Sequence, residues 1–162
     1  MNIGRQSMYN TFADKRSLFL KALELYVGES VGSIIRELEK PGPALSVVRN
    51  ALLSFADRCD LSSADGCMGI NAICEFGQRD SDVTRIIRKA ARTQRAALVR
   101  TLSRAQSHGE SSADAESEDM VDFFESTLAG IRMAAKAGRN RQALRKIALF
   151  AGRAYISDHS TS

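Results

Sequence analysis

The sequence has no tryptophan, two prolines and three cysteines, and 6% of its 162 residues are aromatic. With so few rings, the core must be built mainly from Leu, Ile, Val and Ala. The scarcity of proline leaves long helices uninterrupted, because proline breaks a helix interior. No apolar run reaches the ~18 residues of a membrane span, and the polar residues 1–12 do not form a signal peptide. We therefore expect a cytoplasmic protein with no membrane partner.

The cysteines and histidines do not form a metal site or a disulfide framework. Cys59, Cys67 and Cys74 are an odd number without a CxxC pair, and both histidines lie far away in sequence. We expect reduced thiols and no metal ion. Cys67 lies where a helix is predicted to begin, which favours a lowered thiol pKa and makes it a candidate redox-sensing residue. An inert, buried thiol is the alternative.

The charges are segregated along the chain, although the net charge is only +4. Residues 110–125 carry only acidic charges, and residues 132–153 carry only basic ones. Two interpretations fit: solvated helix faces with complementary neighbours, or a nucleic-acid surface. The sequence has no phosphate-binding glycine motif and no nucleophile with a base and an orienting acid. It therefore predicts neither an enzyme nor a cofactor.

Helical periodicity runs through almost the whole chain, and no stretch alternates apolar and polar residues as a strand does. We predict an all-α fold of seven or eight helices. They cover residues 4–10, 14–38 with a restart after Gly28 as an option, 44–58, 67–77, 81–107, 117–137 and 141–156. Ser81 or Asp82 should cap the longest helix, and Gly109 should end it. The segment 67–77 is nearly all apolar, which indicates burial.

The last two helices are joined by a short turn and should pack antiparallel. The final helix is apolar around much of its surface, more than one neighbour would cover. We therefore expect a homodimer in which the two helices of each copy form a four-helix bundle; the alternative is that residues 44–58 cover this surface. The expected dimer contacts are Leu128, Ile131, Leu144, Ile147 and Ala151.

The start of the chain carries a specific pattern: a small residue, Ser or Thr, an apolar residue, Tyr, then Phe, Lys and Leu at fixed spacing. The residues that match this pattern around one turn are Ser7, Met8, Tyr9, Phe12, Lys15 and Leu18. This segment resembles the end of the DNA-binding domain of TetR-family repressors. Two later stretches, 66–77 and 130–139, resemble the regulatory domain of the same family.

The resemblance implies a recognition helix at residues 4–10 and a division into three parts. Residues 1–16 would be the remnant of a helix-turn-helix domain, residues 17–157 a ligand-binding and dimerisation domain, and residues 158–162 a tail. The family places two further helices before this point, so we expect a shortened DNA-binding domain. Side chains suited to base edges are Gln6 and Asn10, and those suited to phosphate are Arg5, Ser7, Tyr9 and Lys15.

By the same resemblance, a small molecule bound among the middle helices controls binding to duplex operator DNA. Large, flexible or polar residues on apolar helices are the candidates for this pocket: Tyr26, Phe55, Met68, Asn71, Cys74, Gln94 and Phe124. Such a lining indicates an apolar or amphipathic ligand. The expected function is a TetR-like transcriptional regulator, a repressor. The alternatives are a dimeric small-molecule-binding module without DNA binding, and a cysteine-based redox sensor.

Overall fold

The computed structural model describes residues 15–61, 68–77, 79–110 and 117–155. Within these ranges the chain is all-helical, which confirms the predicted fold class. The six described helices are α1 (Lys15–Leu38), α2 (Ala44–Leu61), α3 (Met68–Phe76), α4 (Ser81–Ser107), α5 (Ser117–Lys136) and α6 (Arg141–Ala154). Helix α1 passes through Gly28 without a restart.

The helix ends follow local sequence chemistry. Asp80, rather than Ser81 or Asp82, caps α4, and its carboxylate accepts hydrogen bonds from the backbone N–H groups of Asp82 and Val83. Gly109 ends the helix at φ +70°, and Gly138 ends α5 in the same way at φ +80°. In both turns the following N–H groups donate to carbonyls of the last helical turn, an arrangement that glycine permits because it has no Cβ.

Helices α1 and α4 lie side by side and run in the same direction. Near their starts, Arg16 donates to Asp80 at 2.7 Å, and further along, Lys89 donates to Glu24 at 3.1 Å. This long pair is the frame to which the shorter helices attach.

Two hydrophobic cores lie along this frame. The larger core joins the second halves of α1 and α4 to α2, α5 and α6, and includes Ile34, Leu52 and Leu98. The smaller core joins the first halves of α1 and α4 to α3, through Leu23 and Val83 among others. The buried cores are aliphatic for the most part, as the composition predicts.

Helix α3 is less buried than its apolar sequence indicates. Only Gly69 and Ala72 are buried in it, while Ile73 is half exposed and Cys74 is exposed. The helix packs on α1 and α4 along one side, with the rings of Phe19 and Phe76 at a centroid distance of 5.5 Å. Its other side faces away from the described core.

Helices α5 and α6 form the expected antiparallel pair. The Tyr155 hydroxyl, just after α6, donates to the Met120 carbonyl near the start of α5 at 2.8 Å. Helix α2 covers a second side of α6, where Asp57 accepts hydrogen bonds from Arg141 and Arg145. Residues 44–58 therefore cover part of the apolar surface of the last helix, while Ile147, Leu149 and Phe150 of that helix stay exposed in the single chain.

Candidate functional site

The expected DNA-contacting segment lies mostly outside the described residues. Arg5, Gln6, Ser7, Tyr9 and Asn10 belong to it, and Lys15 is exposed as the first residue of α1. The recognition helix predicted at residues 4–10 thus lies entirely outside the described residues, and the remnant domain predicted at 1–16 is described only at Lys15 and Arg16.

The start of α1 is tied to the start of α4 by ion pairs. Arg16 donates to Asp80 and, at 3.0 Å, to Asp82. Hydrogen bonds from Arg16, and then from the backbone N–H of Val83, lower the pKa of Asp80 to about 2. The Asp80 carboxylate therefore stays ionised near neutral pH, and the ion pair that joins the starts of α1 and α4 keeps both of its charges.

The seven expected ligand-contacting residues fall into three groups. Phe55 and Phe124 are buried in the larger core. Four others are half-buried: Tyr26, Met68, Asn71 and Gln94. Cys74 is exposed on α3 and does not lie among buried side chains.

Two arginines lie near the Phe55 ring. The guanidinium carbon of Arg132, on α5, lies 4.8 Å from the ring centroid, and that of Arg58, one turn further along α2, lies 6.0 Å from it. Arg132 also donates to the Ser30 hydroxyl of α1 at 2.6 Å, and Arg58 donates to the Ser54 hydroxyl at 2.6 Å. Side chains of α1, α2 and α5 are thus linked beside the buried Phe55 ring, where the two guanidinium groups lie.

Asn71, on α3, is hydrogen-bonded to a residue of α5 that lies one turn after Arg132. Its amide oxygen accepts a hydrogen bond from Lys136 at 2.6 Å, so the amide has the partner that its position on an apolar helix requires. Lys136 and Arg132 are four residues apart and share one side of α5. This side of α5 therefore brings Asn71 and Phe55, two of the expected ligand residues, to one surface.

The sequence analysis did not single out Arg58 and Arg132. Arg132 begins the basic stretch 132–153, which was interpreted as a solvated face or as a nucleic-acid surface, and Arg58 lies outside that stretch. The signal that could have found Arg58 is its spacing of three from Phe55, which places both side chains on one side of α2. No such spacing links Arg132 to Phe55, because their proximity depends on how α2 and α5 cross.

A groove of about 210 Å³ lies between α1 and α4. Its apolar lining includes Val27, Val31 and Ile86, and the ion pair between Glu24 and Lys89 borders it. Gly28 and Gly32, one turn apart, leave room for it, since a Cβ at Gly28 would meet no atom within 4 Å. None of the expected ligand residues lines this groove.

Four of the five expected dimer contacts are core residues of the single chain. Leu128, Ile131, Leu144 and Ala151 are all buried among α2, α4, α5 and α6. Their apolar character is explained by intrachain packing, and they offer little surface to a partner. Ile147 alone of the five is exposed, at 38%.

Other apolar side chains of the same two helices are exposed instead. Phe123 and Met133 on α5, and Phe150 on α6, expose between 43% and 66% of their surface. On α6, the spacing of Ala143, Ile147, Phe150 and Ala154 places these residues on one side of the helix. Phe123, Met133 and Phe150 were not among the expected contacts because the sequence pattern does not show which apolar side α2 covers.

The described residues do not hold a cluster of side chains that could bind a metal ion. Cys67, the redox candidate, lies outside the described residues, while Cys59 is buried and is not in a disulfide. None of the described helices has both the length and the hydropathy that crossing a membrane requires.

Comparison with known proteins decides the family. A family model described as "Tetracyclin repressor-like, C-terminal domain" matches residues 42–149, which is most of the chain. The chain belongs to the TetR family of transcriptional regulators. No solved structure matches it.

A relative from Bacillus subtilis (strain 168) is similar to this TetR-family chain. It is named "Uncharacterized HTH-type transcriptional regulator YezE" and is 29% identical over 111 residues. The match covers 68% of this chain and 57% of the relative, so the chain spans little more than half of that protein. The family match includes α2 to α5 and most of α6, and therefore Phe55, Arg58 and Arg132 and, except for Phe150, the exposed apolar residues of the last two helices.

Proposed function

We propose that this chain is the ligand-responsive and dimer-forming part of a TetR-like repressor whose binding to duplex operator DNA is controlled by a small molecule. The observation that carries the proposal is the family match over residues 42–149, which spans the helices around Phe55. A regulator of this kind acts where the DNA is, in the cytoplasm.

The operator-reading side chains are those of the first segment. Gln6 and Asn10 suit hydrogen bonds to base edges, and Arg5, Ser7, Tyr9 and Lys15 suit phosphate contacts. Lys15 begins α1, so any displacement of α1 is passed directly to this segment. The ion pairs of Arg16 with Asp80 and Asp82 make the position of α1 depend on α4.

The ligand occupies the surface where α1, α2, α3 and α5 approach one another. Each of these four helices contributes one described side chain to this surface: Ser30, Phe55, Asn71 and Arg132. A ligand that binds one arrangement of α1 more tightly than another increases the population of that arrangement. Operator DNA binds the other arrangement more tightly and increases the population of that one. Coupling therefore requires only that α1 has different positions in the two states.

The homodimer forms through the exposed apolar side chains of α5 and α6. Ile147 was expected from the sequence, and the exposed Phe123, Met133 and Phe150 join it in place of the four buried residues. Exposed apolar side chains grouped on neighbouring helices are typical of interaction surfaces. A two-fold axis between two such helix pairs generates a four-helix bundle.

DNA binding by this chain tests the proposal. Fluorescence anisotropy on a labelled duplex from the region upstream of its own gene, with an unrelated duplex as control, is measured from 0.05 to 0.3 M salt. We expect binding that prefers the upstream duplex and persists at about 0.2 M salt. In Gln6→Ala and Asn10→Ala this preference should be lost, whereas Lys15→Ala should weaken binding to both duplexes about equally.

Binding that ignores sequence and vanishes as salt rises would contradict the operator-reading role, because phosphate attraction alone behaves in this way. A dimeric small-molecule-binding module would then be the better description. Loss of operator binding on thiol oxidation, reversed by a reductant and absent in Cys67→Ser, would instead indicate the redox sensor.

A further inference from the structure

The first half of α4 carries a row of exposed positive charges. Its members follow one another at a spacing of three or four residues, which places them on one side of the helix. They are Arg85, Arg88, Lys89 and Arg92, and we call them the basic row. From the rise of each helical residue, the row is about 10 Å long. Like charges at this spacing destabilise a helix, so acidic partners would stabilise the row.

Acidic side chains of the same chain neutralise part of the basic row. Its first member, Arg85, donates to Asp82 at 3.2 Å, and its lysine donates to Glu24 of α1 at 3.1 Å. Within the parts of the chain that the structure describes, Arg88 and Arg92 form no ion pair. These two guanidinium groups are therefore exposed to solvent together, one helical turn apart.

The basic stretch at residues 132–153 differs from this row in its neighbours. Arg141 and Arg145 of that stretch both donate to the Asp57 carboxylate of α2. Of the two interpretations of the segregated charges, complementary neighbours therefore account for this part of the chain. The basic row of α4 fits the other interpretation, a nucleic-acid surface.

The basic row begins beside the last residue of the proposed DNA-contacting segment. The Asp82 carboxylate accepts from Arg85 through one oxygen and, through the other, from Arg16 at 3.0 Å. Lys15, which is proposed to contact phosphate, directly precedes Arg16 at the start of α1. The basic row and Lys15 therefore lie at the same end of the frame that α1 and α4 form.

The side chains of the basic row suit a duplex backbone better than other anionic surfaces. Arginine presents a planar fork of donors that matches phosphate oxygens. The exposed Ala91 and Thr93 are small, whereas a helix that lies on a membrane presents large apolar side chains. Residues 85–93 include no aromatic ring on which the bases of a single strand could stack. A duplex carries one negative charge per ~1.7 Å of its axis, so several phosphates face a row of this length.

We propose that the basic row of α4 is a second DNA contact, which binds the phosphates of a duplex regardless of its sequence. Arg88 and Arg92 make this contact, while Arg85 and Lys89 add positive charge beside them and keep their intrachain acids. The contact goes beyond the proposed function, because it involves neither the recognition of bases nor a ligand. In the regulator it adds affinity for DNA on either side of the operator.

Binding to a duplex of unrelated sequence tests the basic row. Fluorescence anisotropy is measured with the purified chain and the labelled duplex, at salt concentrations from about 0.05 to 0.3 M. In Arg88→Gln/Arg92→Gln the affinity at about 0.1 M salt should fall about tenfold. The slope of log affinity against log salt should become shallower by about 2, because each phosphate contact contributes about 0.9 to it. A wild-type chain that does not bind this duplex, or a variant with unchanged affinity and slope, would overturn the proposal.

Arg36→Gln/Arg100→Gln is the matched control for net charge. It removes the same charge from exposed positions in the second halves of α1 and α4. This variant should bind the unrelated duplex within about threefold of the wild type, since charges far from the contact act weakly through salt. A loss as large as that of the Arg88 and Arg92 variant would mean that net charge alone matters, and would refute the row. Circular dichroism should be that of the wild type for both variants, because all four side chains are exposed.

Two further anionic partners are compared with the duplex. The wild type should bind the duplex more tightly than a single strand of the same length, and more tightly than vesicles that contain phosphatidylserine. Tighter binding of the single strand or of the vesicles would contradict a duplex-binding row and assign it to that partner instead.

The basic row and the operator-reading role fail separately in this design. In Arg88→Gln/Arg92→Gln, the affinities for the upstream and the unrelated duplex should fall together, so that the preference between them is unchanged. Binding that depends on Arg88 and Arg92 without any preference for the upstream duplex would contradict operator reading and retain the row. A preference for the upstream duplex, with affinities that this variant leaves unchanged, would contradict the row and retain the regulator.

Discussion

At the scale of single residues, Gly152 marks a close approach between α6 and α2. A Cβ atom added there would lie 2.6 Å from Cγ of Arg49, a part of that side chain that cannot swing away freely. Gly152→Ala should therefore destabilise the chain by about 1–3 kcal/mol, as overpacking does. Urea unfolding followed by circular dichroism measures the change.

Gly28→Ala is the matched control for this substitution. Gly28 also lies inside a helix, but a Cβ there meets no atom within 4 Å. It should stabilise the chain by roughly 0.5–1 kcal/mol, because alanine loses less conformational freedom in a helix. A Gly152→Ala variant as stable as the Gly28→Ala variant would show that α2 and α6 are not so tightly packed.

Glu110 carries the second prediction at this scale. Burial tends to raise its pKa, but hydrogen bonds from the backbone N–H groups of Ala44 and Leu45, the latter at 3.1 Å, hold that pKa below its usual range. The carboxylate thus caps α2 from the far end of α4. Its stabilising contribution is full above the ordinary glutamate pKa and is lost as the pH falls through the lowered value.

Glu110→Ala should therefore lower the free energy of unfolding at pH 7 by about 1 kcal/mol, the usual contribution of a helix cap. The difference between wild type and variant should shrink as the pH is lowered from 5 to 3. Glu39→Ala, at an exposed position after α1, is the control. A difference that stays constant down to pH 3 would mean that the Glu110 charge does not act on α2.

At the scale of helices, Asp80 performs two tasks that substitutions can separate. Asp80→Ala removes both the cap of α4 and the ion pair with Arg16, Asp80→Asn keeps a capping oxygen, and Arg16→Ala removes the ion pair alone. Exposed ion pairs stabilise little, so we expect the unfolding midpoint to fall most in Asp80→Ala. Differential scanning calorimetry should show small changes in the other two; an equally large fall in Arg16→Ala would make the ion pair the main link.

The helices themselves were predictable because each one has a local signature. Periodic apolar residues predict the bounds of each helix to within a few residues, and two of the helix ends are marked by Gly109 and Gly138. The cap of α4 was missed by one or two positions, since three successive residues could each perform that role. The burial of α3 was overestimated, because an apolar sequence does not say how many neighbours a helix will have.

The site was less predictable than the helices. Phe55 and Asn71 were singled out as unusual residues on apolar helices, and the structure brings both to the same side of α5. Arg58 and Arg132 were not predicted as site residues, because the sequence does not distinguish an arginine that packs on an aromatic ring from a solvated arginine. The same holds for Leu144, which is fully buried in one chain although its pattern fits a dimer contact equally well.

At the scale of the whole molecule, the exposed side chains of the last two helices predict a dimer. Light scattering at micromolar concentration should give twice the chain mass of 17.7 kDa. Ile147→Glu and Phe150→Glu should shift the mass toward that of a monomer, because each would place an unpaired charge in an apolar interface. Circular dichroism should remain that of the wild type, since both side chains are exposed in the single chain.

Leu149→Glu is the control for dimer formation. Leu149 is 42% exposed but lies on another side of α6, away from the Ile147 and Phe150 side chains. It should leave the mass unchanged. Dissociation by Leu149→Glu but not by Phe150→Glu would assign the interface to that other side, and a wild-type monomer would refute the dimer altogether.

The division of α1 between two cores has a consequence for how the molecule opens. Its first half packs with α3 on the smaller core, and its second half belongs to the larger one. Cooperative opening units follow such packing, and small clusters open more often than large ones. Amide hydrogen exchange should therefore be faster around Leu23 than around Ile34, with a step in between, although the helix is continuous. The end of α1 nearest the proposed DNA-contacting segment would thus detach and re-form many times within the lifetime of one folded molecule.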